Sequence, residues 1–214
     1  MSNKIFFIYD LSASKIKSLK PHLINPKKDS SNSERSASDI HRIKHTMNGQ
    51  VFPKNIITLG LPIRYPANDS DPDNYHWLIW IVSEDGVNGT CAHATNQTGA
   101  FQFEKKVESA GISRNNLSAL IQIGSLGKYS VDDVVAILEK IPMESPAGSE
   151  DENIKFSCRI WIREAVRVLN KAGIITCSDV NALEKECEGY ADANREAMEL
   201  GKGKPLFVVS KFSE

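Results

Sequence analysis

The sequence predicts an α+β fold in which an antiparallel sheet of about five or six strands packs against helices. Short apolar runs bounded by turn residues fill most of the first two thirds of the chain, and such runs are typical of strands. The later part changes to the three- and four-residue apolar spacing of amphipathic helices. With 214 residues, of which 41% are apolar and 25% charged, the chain has an ordinary globular composition. We therefore predict a single domain over residues 1–214.

Two strands are predicted in the first third of the chain. The first is KIFFIYDL (residues 4–11), and the second is NIITLGLPIRY (residues 55–65), for which Pro62 and Pro66 favour an edge position or an early end. A polar, serine-rich stretch between them predicts a mobile basic segment at about 26–45.

Residues 1–50 carry nine Lys or Arg against four Asp or Glu. A nucleic acid or another phosphate-rich partner is possible for this part of the chain. We expect a solvated arm instead, because the basic residues neither alternate with aromatic residues nor form a helical stripe. His22, His41 and His45 lie in or beside this arm and are predicted to be solvated.

The next strands are predicted as an antiparallel meander. HWLIWIV (76–82) is the most hydrophobic of them and begins at His76; VNGTCAHATNQTGAFQFEK (87–105) offers two short strands, and LSALIQIGSL (117–126) offers another. A closing strand is predicted at PLFVVSKF (205–212).

Three helices are predicted from apolar stripes at 130–141, 158–172 and 179–200. Ser130 and Ser157 are suitable N-caps, and Gly173 is a suitable stop for the second helix. ESPAGSEDEN (144–153) predicts a flexible acidic linker ahead of that helix.

No metal or cofactor site is predicted. The four cysteines form no CxxC pair, so neither zinc binding nor a disulfide framework is indicated, and we expect reduced thiols. The aspartates of PANDSDPDN (66–74) imitate the start of a calcium loop, but the glycine and glutamate that such a loop needs are missing. The N-terminus has no signal-peptide pattern and no apolar run is long enough to span a membrane, so a cytoplasmic protein is expected.

The strongest candidate for chemistry is Cys158, predicted in the first turn of the second helix. The unpaired amides of a first turn stabilise a thiolate and can donate to an oxyanion. A thiol nucleophile also needs an imidazole base and a group that orients this base. His76 and His93, on consecutive predicted strands, could supply both. The alternatives are that Cys158 only packs, that His76 only caps its strand, and that His93 is an exposed turn residue.

The order of these elements resembles the permuted papain-like thiol enzymes of the lecithin retinol acyltransferase type. The resemblance covers residues 75–172: a strand that begins His-Trp, a second histidine one strand later, a KYSVDDVVAILEK helix and a cysteine that opens a helix. It implies a circularly permuted papain-like fold with His76 as base, His93 as orienting residue and Cys158 as nucleophile. The residues around Cys158 and His93 depart from the family's usual motifs. The chain is also similar to a group of uncharacterised fungal proteins that share a His-Trp strand and a Cys-Arg-x-Trp helix.

The function expected from these features is cysteine-dependent acyl transfer or hydrolysis of an amide, ester or thioester. The substrate would be soluble: a small molecule, a peptide, or an acyl group on a carrier protein or a tRNA. The alternative is a catalytically inactive papain-like protein that serves as a binding or scaffold module.

Overall fold

The computed structural model describes residues 52–65, 74–109 and 116–214, all of which belong to a unit that spans 40–214. Within these ranges the fold is a mixed α+β arrangement of one six-stranded sheet and three helices, which confirms the predicted α+β class. The predicted strand at 4–11, the basic segment at about 26–45 and nearly all of the 66–74 turn lie outside the described residues. The prediction of a single domain over 1–214 stays a prediction.

The described elements follow the predicted order along the chain. The strands are β1 (Ile56–Pro62), β2 (Leu78–Val82), β3 (Asn88–Thr95), β4 (Gln102–Ser109), β5 (Leu117–Ser125) and β6 (Leu206–Val209). The helices are α1 (Val131–Leu138), α2 (Cys158–Lys171) and α3 (Val180–Glu199). None of the helices in the described ranges combines the length and apolar character needed to cross a membrane.

The strand order across the sheet is β4-β3-β2-β1-β5-β6. β1 to β5 pair with their neighbours in antiparallel fashion, whereas β6 pairs with β5 in parallel, so the antiparallel prediction is wrong for the closing strand. The physical reason is the connection: all three helices lie between β5 and β6 in the chain, and a parallel neighbour requires such a crossover.

β1 is a central strand between β2 and β5, so the predicted edge position is wrong. The predicted early end is correct, because β1 stops at Pro62. The pairing with β5 shifts register between Leu61 and Pro62, where a proline cannot donate to the ladder. On the other side, the Pro62 carbonyl still accepts a hydrogen bond from the His76 N–H at 2.8 Å.

The two faces of the sheet have separate apolar clusters. One face, called here the helix face, packs against all three helices through strand residues such as Leu59, Ile79 and Ala92. The opposite face, called here the second face, carries a smaller buried cluster that includes Leu78, Trp80 and Cys91 among its members. Successive strand residues therefore alternate between the two clusters, as side chains on a pleated strand must.

The stretch 144–153, predicted as a flexible acidic linker, is attached to the rest of the fold by ion pairs. Asp151 is fully buried, and its Oδ2 accepts hydrogen bonds from Arg163 Nε at 2.9 Å and from Arg167 Nη2 at 2.6 Å. Glu150 also accepts from Arg163, at 2.9 Å. These ion pairs attach the segment to α2, because two arginines four residues apart lie on the same side of a helix.

Candidate active site

Cys158 is the first residue of α2 and its side chain is fully buried. The Ser157 N-cap has extended backbone angles, and its side chain accepts a hydrogen bond from the Ile160 N–H. The first turn of α2 contains no acidic residue, whereas the first turn of α1 contains two. The positive end of the α2 dipole is thus not neutralised by a carboxylate of its own first turn, which favours an anion at this position.

Two donors from elsewhere in the chain converge on the Cys158 sulfur. Arg64 Nη2 lies 3.0 Å from Sγ, and the Trp77 backbone N–H donates to Sγ over 3.4 Å. A charged donor makes shorter and stronger hydrogen bonds than a neutral one, most of all when the acceptor is also charged. This arrangement therefore favours a thiolate over a thiol at Cys158.

The Trp77 N–H is available because the sheet opens at this point. Neighbouring N–H groups along a strand point to opposite sides, so the bond from His76 N–H to β1 directs the Trp77 N–H towards β3. The pairing of β2 with β3 ends at Ile79 and Ala92. Trp77 lies two residues beyond this last pair, outside the paired part of the two strands. The sulfur of Cys158 occupies the position of the missing strand acceptor.

Arg64 was not among the residues predicted from the sequence. It follows Ile63, whose N–H donates to the Asn116 carbonyl at 2.8 Å and whose carbonyl accepts from Asn116 Nδ2 at 2.7 Å. The Arg64 N–H itself donates to the Asn74 carbonyl at 3.1 Å. One signal in the sequence could have drawn attention to it: Arg64 is the only Lys or Arg between Lys54 and Lys105.

The structure brings His76 and His93 together. His76 Nε2 lies 2.8 Å from His93 Nδ1, and the two rings meet edge to face with their centroids 4.8 Å apart. His93 lies on β3 between Ala92 and Ala94 of the helix-face cluster, and His76 directly precedes Trp77 of the same cluster. Cys158 Sγ accepts from the Trp77 N–H, so the sulfur lies beside the residue that follows His76.

The other three cysteines are buried as well. Cys91 belongs to the second-face cluster, and Cys177 forms an isolated bridge with Ser213. Burial raises the pKa of the Cys177 thiol, and burial raises the pKa of Cys187 well above its usual value. These two thiols should be poor nucleophiles near neutral pH.

Within the described ranges, no three or more His, Cys, Asp or Glu side chains lie close enough together to hold a metal ion. The hydrogen bond between the two imidazoles occupies one nitrogen of each ring. The chemical groups that the site offers are a cysteine sulfur, a histidine pair and an arginine.

One family model matches the chain, over residues 64–176, and it describes a family of unknown function, DUF6540. The match covers more than half of the chain and includes Arg64, His76, His93 and Cys158. Neither a curated protein nor a solved structure matches the sequence.

Proposed function

The chain belongs to the DUF6540 family, and we propose that it is a thiol-dependent acyl-transfer enzyme with Cys158 as its nucleophile. The observation that carries the proposal is the convergence of Arg64 and the Trp77 N–H on Sγ, at 3.0 and 3.4 Å. A guanidinium beside a cysteine sulfur favours the thiolate, because a charge-assisted hydrogen bond is shorter and stronger than a neutral one. A cysteine held as a thiolate gains from both donors and from the start of α2.

His76 and His93 supply the proton transfers in this proposal. His76 Nε2 and His93 Nδ1 are 2.8 Å apart. In the tautomer that the proposal requires, His76 Nε2–H donates to His93 Nδ1, and His76 Nδ1 takes the thiol proton. His93 is 6% exposed, so its ring is held in place and can fix the orientation and tautomer of His76. His76 is then the base, and His93 acts through it as a positioning residue.

The reaction proceeds in two steps. Sγ forms a bond to the carbonyl carbon of an ester, thioester or amide, the bond from carbon to the leaving group breaks, and His76 returns its proton to the leaving group. Water or an amine then attacks the acyl-enzyme, gives its proton to His76 and releases the acyl product as the carbon–sulfur bond breaks. First-turn amides of α2 hold the oxyanion during both steps.

The proposal extends to the fold, the substrate and the location of the protein in the cell. The architecture is that of a circularly permuted papain-like enzyme, with the histidine strand before the cysteine helix in the chain. The acyl donor is a small molecule, a peptide, or an acyl group on a carrier protein or tRNA, and the location is cytoplasmic. Nucleic acid is not the main partner.

A second candidate function is that of an inactive binding or scaffold protein. The observation that favours it is the complete burial of Cys158, which belongs to the apolar cluster of the helix face together with Trp161 and Ile162. A substrate carbonyl would need access to this sulfur, either through an opening on the second face or through local movement at the end of β2.

Alkylation by iodoacetamide over a series of pH values separates the two functions, with the modified cysteine identified by mass spectrometry. The enzyme proposal expects Cys158 to react first among the four cysteines. It also expects His76→Ala to slow this reaction near neutral pH towards the rate of an ordinary thiol, because the imidazolium that accompanies the thiolate is lost. His93→Ala should have a smaller effect, through loss of ring orientation.

His22→Ala is the matched control, since the sequence predicts a solvated histidine at that position, and it should leave the rate unchanged. Circular dichroism of each variant checks that the fold is retained. Preferential modification of Cys91 or Cys177, or equal rates for Cys158 with and without His76, would support the scaffold function instead.

A further inference from the structure

A short antiparallel ladder continues beyond the ends of β1 and β2, next to the candidate site. The pairing of the two strands runs to Gly60 and Leu78, and an isolated bridge then joins Ile63 with Tyr75. Each bridge residue lies three positions beyond the last pair, so the bridge keeps the register of the strands. Ile63 and Tyr75 are buried in the helix-face cluster, at 1% and 3% exposure. The ladder is therefore an extension of the sheet.

Site residues lie directly after this bridge on both strands. On one strand Arg64 follows the bridge, and its N–H donates to a carbonyl of the opposite strand at 3.1 Å. On the other strand His76 follows the bridge, and its N–H donates back at 2.8 Å. Trp77 comes next and gives its N–H to Sγ of Cys158, the atom that the Arg64 guanidinium also contacts. The ladder thus sets the backbone positions of both sulfur donors and of the proposed base.

Each strand of the ladder is anchored separately to another part of the fold. Asn116, next to the start of β5, makes two hydrogen bonds with the Ile63 backbone, at 2.8 and 2.7 Å. The Tyr75 hydroxyl donates to Oδ1 of Asp192 on α3 at 2.6 Å, a length typical of a strong bond to a carboxylate. Three residues further along α3, the guanidinium carbon of Arg195 lies 5.9 Å from the centre of the Tyr75 ring.

The Tyr75 hydroxyl is suited to remain a donor over a wide range of pH. Burial, and next the bond to Asp192, raises the pKa of Tyr75, so the hydroxyl keeps its proton. The anchor on α3 therefore stays in place through neutral and mildly alkaline conditions, in which a cysteine thiol titrates.

We propose that Tyr75 and Asp192 are positioning residues for the candidate site. Their hydrogen bond holds the backbone of the strand that carries His76 and the Trp77 N–H against α3. The inference rests on the proposed function, in which His76 is the base, and adds α3 to the elements that build the site. Neither residue contacts the substrate; both act through the backbone of the ladder.

The separate anchors give this bond a specific effect on the site. Without it, the strand of His76 and Trp77 loosens, while the strand of Arg64 is still held by Asn116. The two sulfur donors then change position relative to each other. Because a hydrogen bond weakens steeply as its geometry departs from the optimum, a small shift of the Trp77 N–H reduces its support for the thiolate of Cys158.

Two substitutions remove the bond in different ways. Tyr75→Phe keeps the buried ring and deletes the hydroxyl, whereas Asp192→Ala deletes the acceptor at an exposed position of α3, where alanine suits the helix. Asp192→Asn keeps an oxygen that can accept from the hydroxyl, so it should retain most of the wild-type behaviour. Tyr129→Phe is the matched control, because the Tyr129 hydroxyl donates to the Ala172 carbonyl at 3.0 Å, at the other end of α2.

The first measurement is the rate of Cys158 modification by iodoacetamide over a series of pH values. Tyr75→Phe and Asp192→Ala should slow the reaction near neutral pH by about three- to tenfold, less than the roughly hundredfold that a misplacement of 1 Å can cost in a site. The pH at which the rate reaches half its maximum should rise, since the thiolate is less well supported. Tyr129→Phe should change neither the rate nor the pH profile.

The second measurement is NMR of the ring nitrogens after nitrogen-15 labelling of histidine, which reports on the 2.8 Å contact between His76 Nε2 and His93 Nδ1. Asp192→Ala should shift the signals of His76, whereas Asp192→Asn and Tyr129→Phe should leave them as in the wild type. Asp192 lies on another element than His76, so a shift reports on the ladder and not on a changed neighbour in the sequence.

A bond with a purely structural role gives a different result. If Tyr75→Phe and Asp192→Ala lower the free energy of unfolding, as Tyr129→Phe does, but leave the pH profile of Cys158 and the His76 signals unchanged, the inference is overturned. Should Tyr75→Phe fail to fold, the comparison of Asp192→Ala with Asp192→Asn decides by itself.

Failure of the proposed function is recognised separately, because wild-type Cys158 then shows no preferential reaction. The NMR comparison decides in that case. Shifted His76 signals in Asp192→Ala, with wild-type signals in Asp192→Asn, support the positioning role, and equal signals in both overturn it.

Discussion

Arg64 brings a positively charged donor to within 3.0 Å of the Cys158 sulfur. A hydrogen bond to a charged group contributes about 1.5–3 kcal/mol, and the bond from Arg64 favours the thiolate of Cys158. Removal of the guanidinium therefore shifts the sulfur from thiolate towards thiol. Its intrinsic nucleophilicity rises at the same time, with a Brønsted coefficient of about 0.4–0.5.

Arg64→Gln should therefore slow iodoacetamide modification of Cys158 at pH 7 by about three- to tenfold, because the loss of thiolate exceeds the gain in nucleophilicity. Arg64→Lys should restore part of the rate, since it keeps the charge without the planar guanidinium. Lys185→Gln, at an exposed position of α3, is the control and should have no effect. Equal rates for wild type and Arg64→Gln would show that the Arg64–Sγ contact does not stabilise a thiolate.

The residue types and their order predicted Cys158, His76 and His93, whereas the one signal for Arg64 was its position as the single Lys or Arg between Lys54 and Lys105. A cysteine at the start of a predicted helix can be recognised from the sequence alone. A donor from another part of the sheet, such as the Trp77 N–H, can be recognised only when the strand pairing is known. The end of the β2–β3 pairing at Ile79 and Ala92 leaves the Trp77 N–H free to face the sulfur. This opening depends on tertiary packing and not on the local sequence.

At the level of elements, the capping of α2 connects stability with reactivity. Ser157→Ala should lower the free energy of unfolding by about 1 kcal/mol through loss of the N-cap. Ser157→Asp should retain the cap and the stability, because aspartate is an equally good N-cap. Its negative charge lies next to the thiolate, however, and should slow the alkylation of Cys158 several-fold.

Urea unfolding followed by fluorescence gives the stabilities, and iodoacetamide modification gives the reactivities. Ser130→Ala at the N-cap of α1 is the matched control: it should reduce stability in a similar way and leave the reactivity of Cys158 unchanged. If Ser157→Asp alkylates at the wild-type rate, the start of α2 does not hold a thiolate.

Among the elements, the helices were predicted better than the sheet. Each predicted helix agrees with the observed bounds to within three residues at either end, because the apolar stripe and the capping residues are local signals. The position of β1 at the centre of the sheet was missed, since prolines suggest an edge when their neighbours are unknown. The parallel pairing of β6 with β5 was missed because it depends on the path of three intervening helices.

For the molecule as a whole, several carboxylates hold distant parts of the chain together. Tyr75, three residues before β2, donates to Asp192 of α3 at 2.6 Å, and burial, together with this bond, raises the pKa of Tyr75. Asp151 attaches the 144–153 segment to α2. The composition of that segment predicted a flexible acidic linker. The ion pairs could not be predicted from the sequence, because their arginine partners lie on α2 and the contact depends on the fold.

The stability of the protein should consequently fall in acid. Burial, the largest single influence, pushes the pKa of Asp151 upwards, but the hydrogen bonds and charges of Arg163 and Arg167 outweigh it and lower the pKa below 3.8. The pKa of Glu150 is lowered below 4.5, chiefly by its hydrogen bonds from Asn181 and Arg167. A carboxylate whose pKa is lower in the folded state stabilises the fold above its unfolded pKa and loses this contribution as pH falls through its folded pKa.

The free energy of unfolding should accordingly be constant between about pH 6 and 5 and decrease below about pH 4.5, where the unfolded carboxylates begin to take up protons. Asp151→Asn should lower stability at pH 6 by about 1.5–3 kcal/mol, the contribution of a hydrogen bond between charged groups. It should also flatten the decrease below pH 4.5, since one of the responsible groups no longer titrates.

Urea unfolding followed by the fluorescence of the buried tryptophans measures both effects, and Asp132→Asn, at an exposed position of α1, serves as the control. A variant with wild-type stability at pH 6 and an unchanged acid profile would show that the ion pairs around Asp151 do not anchor the segment before α2, so that the cysteine helix is held by its apolar face alone.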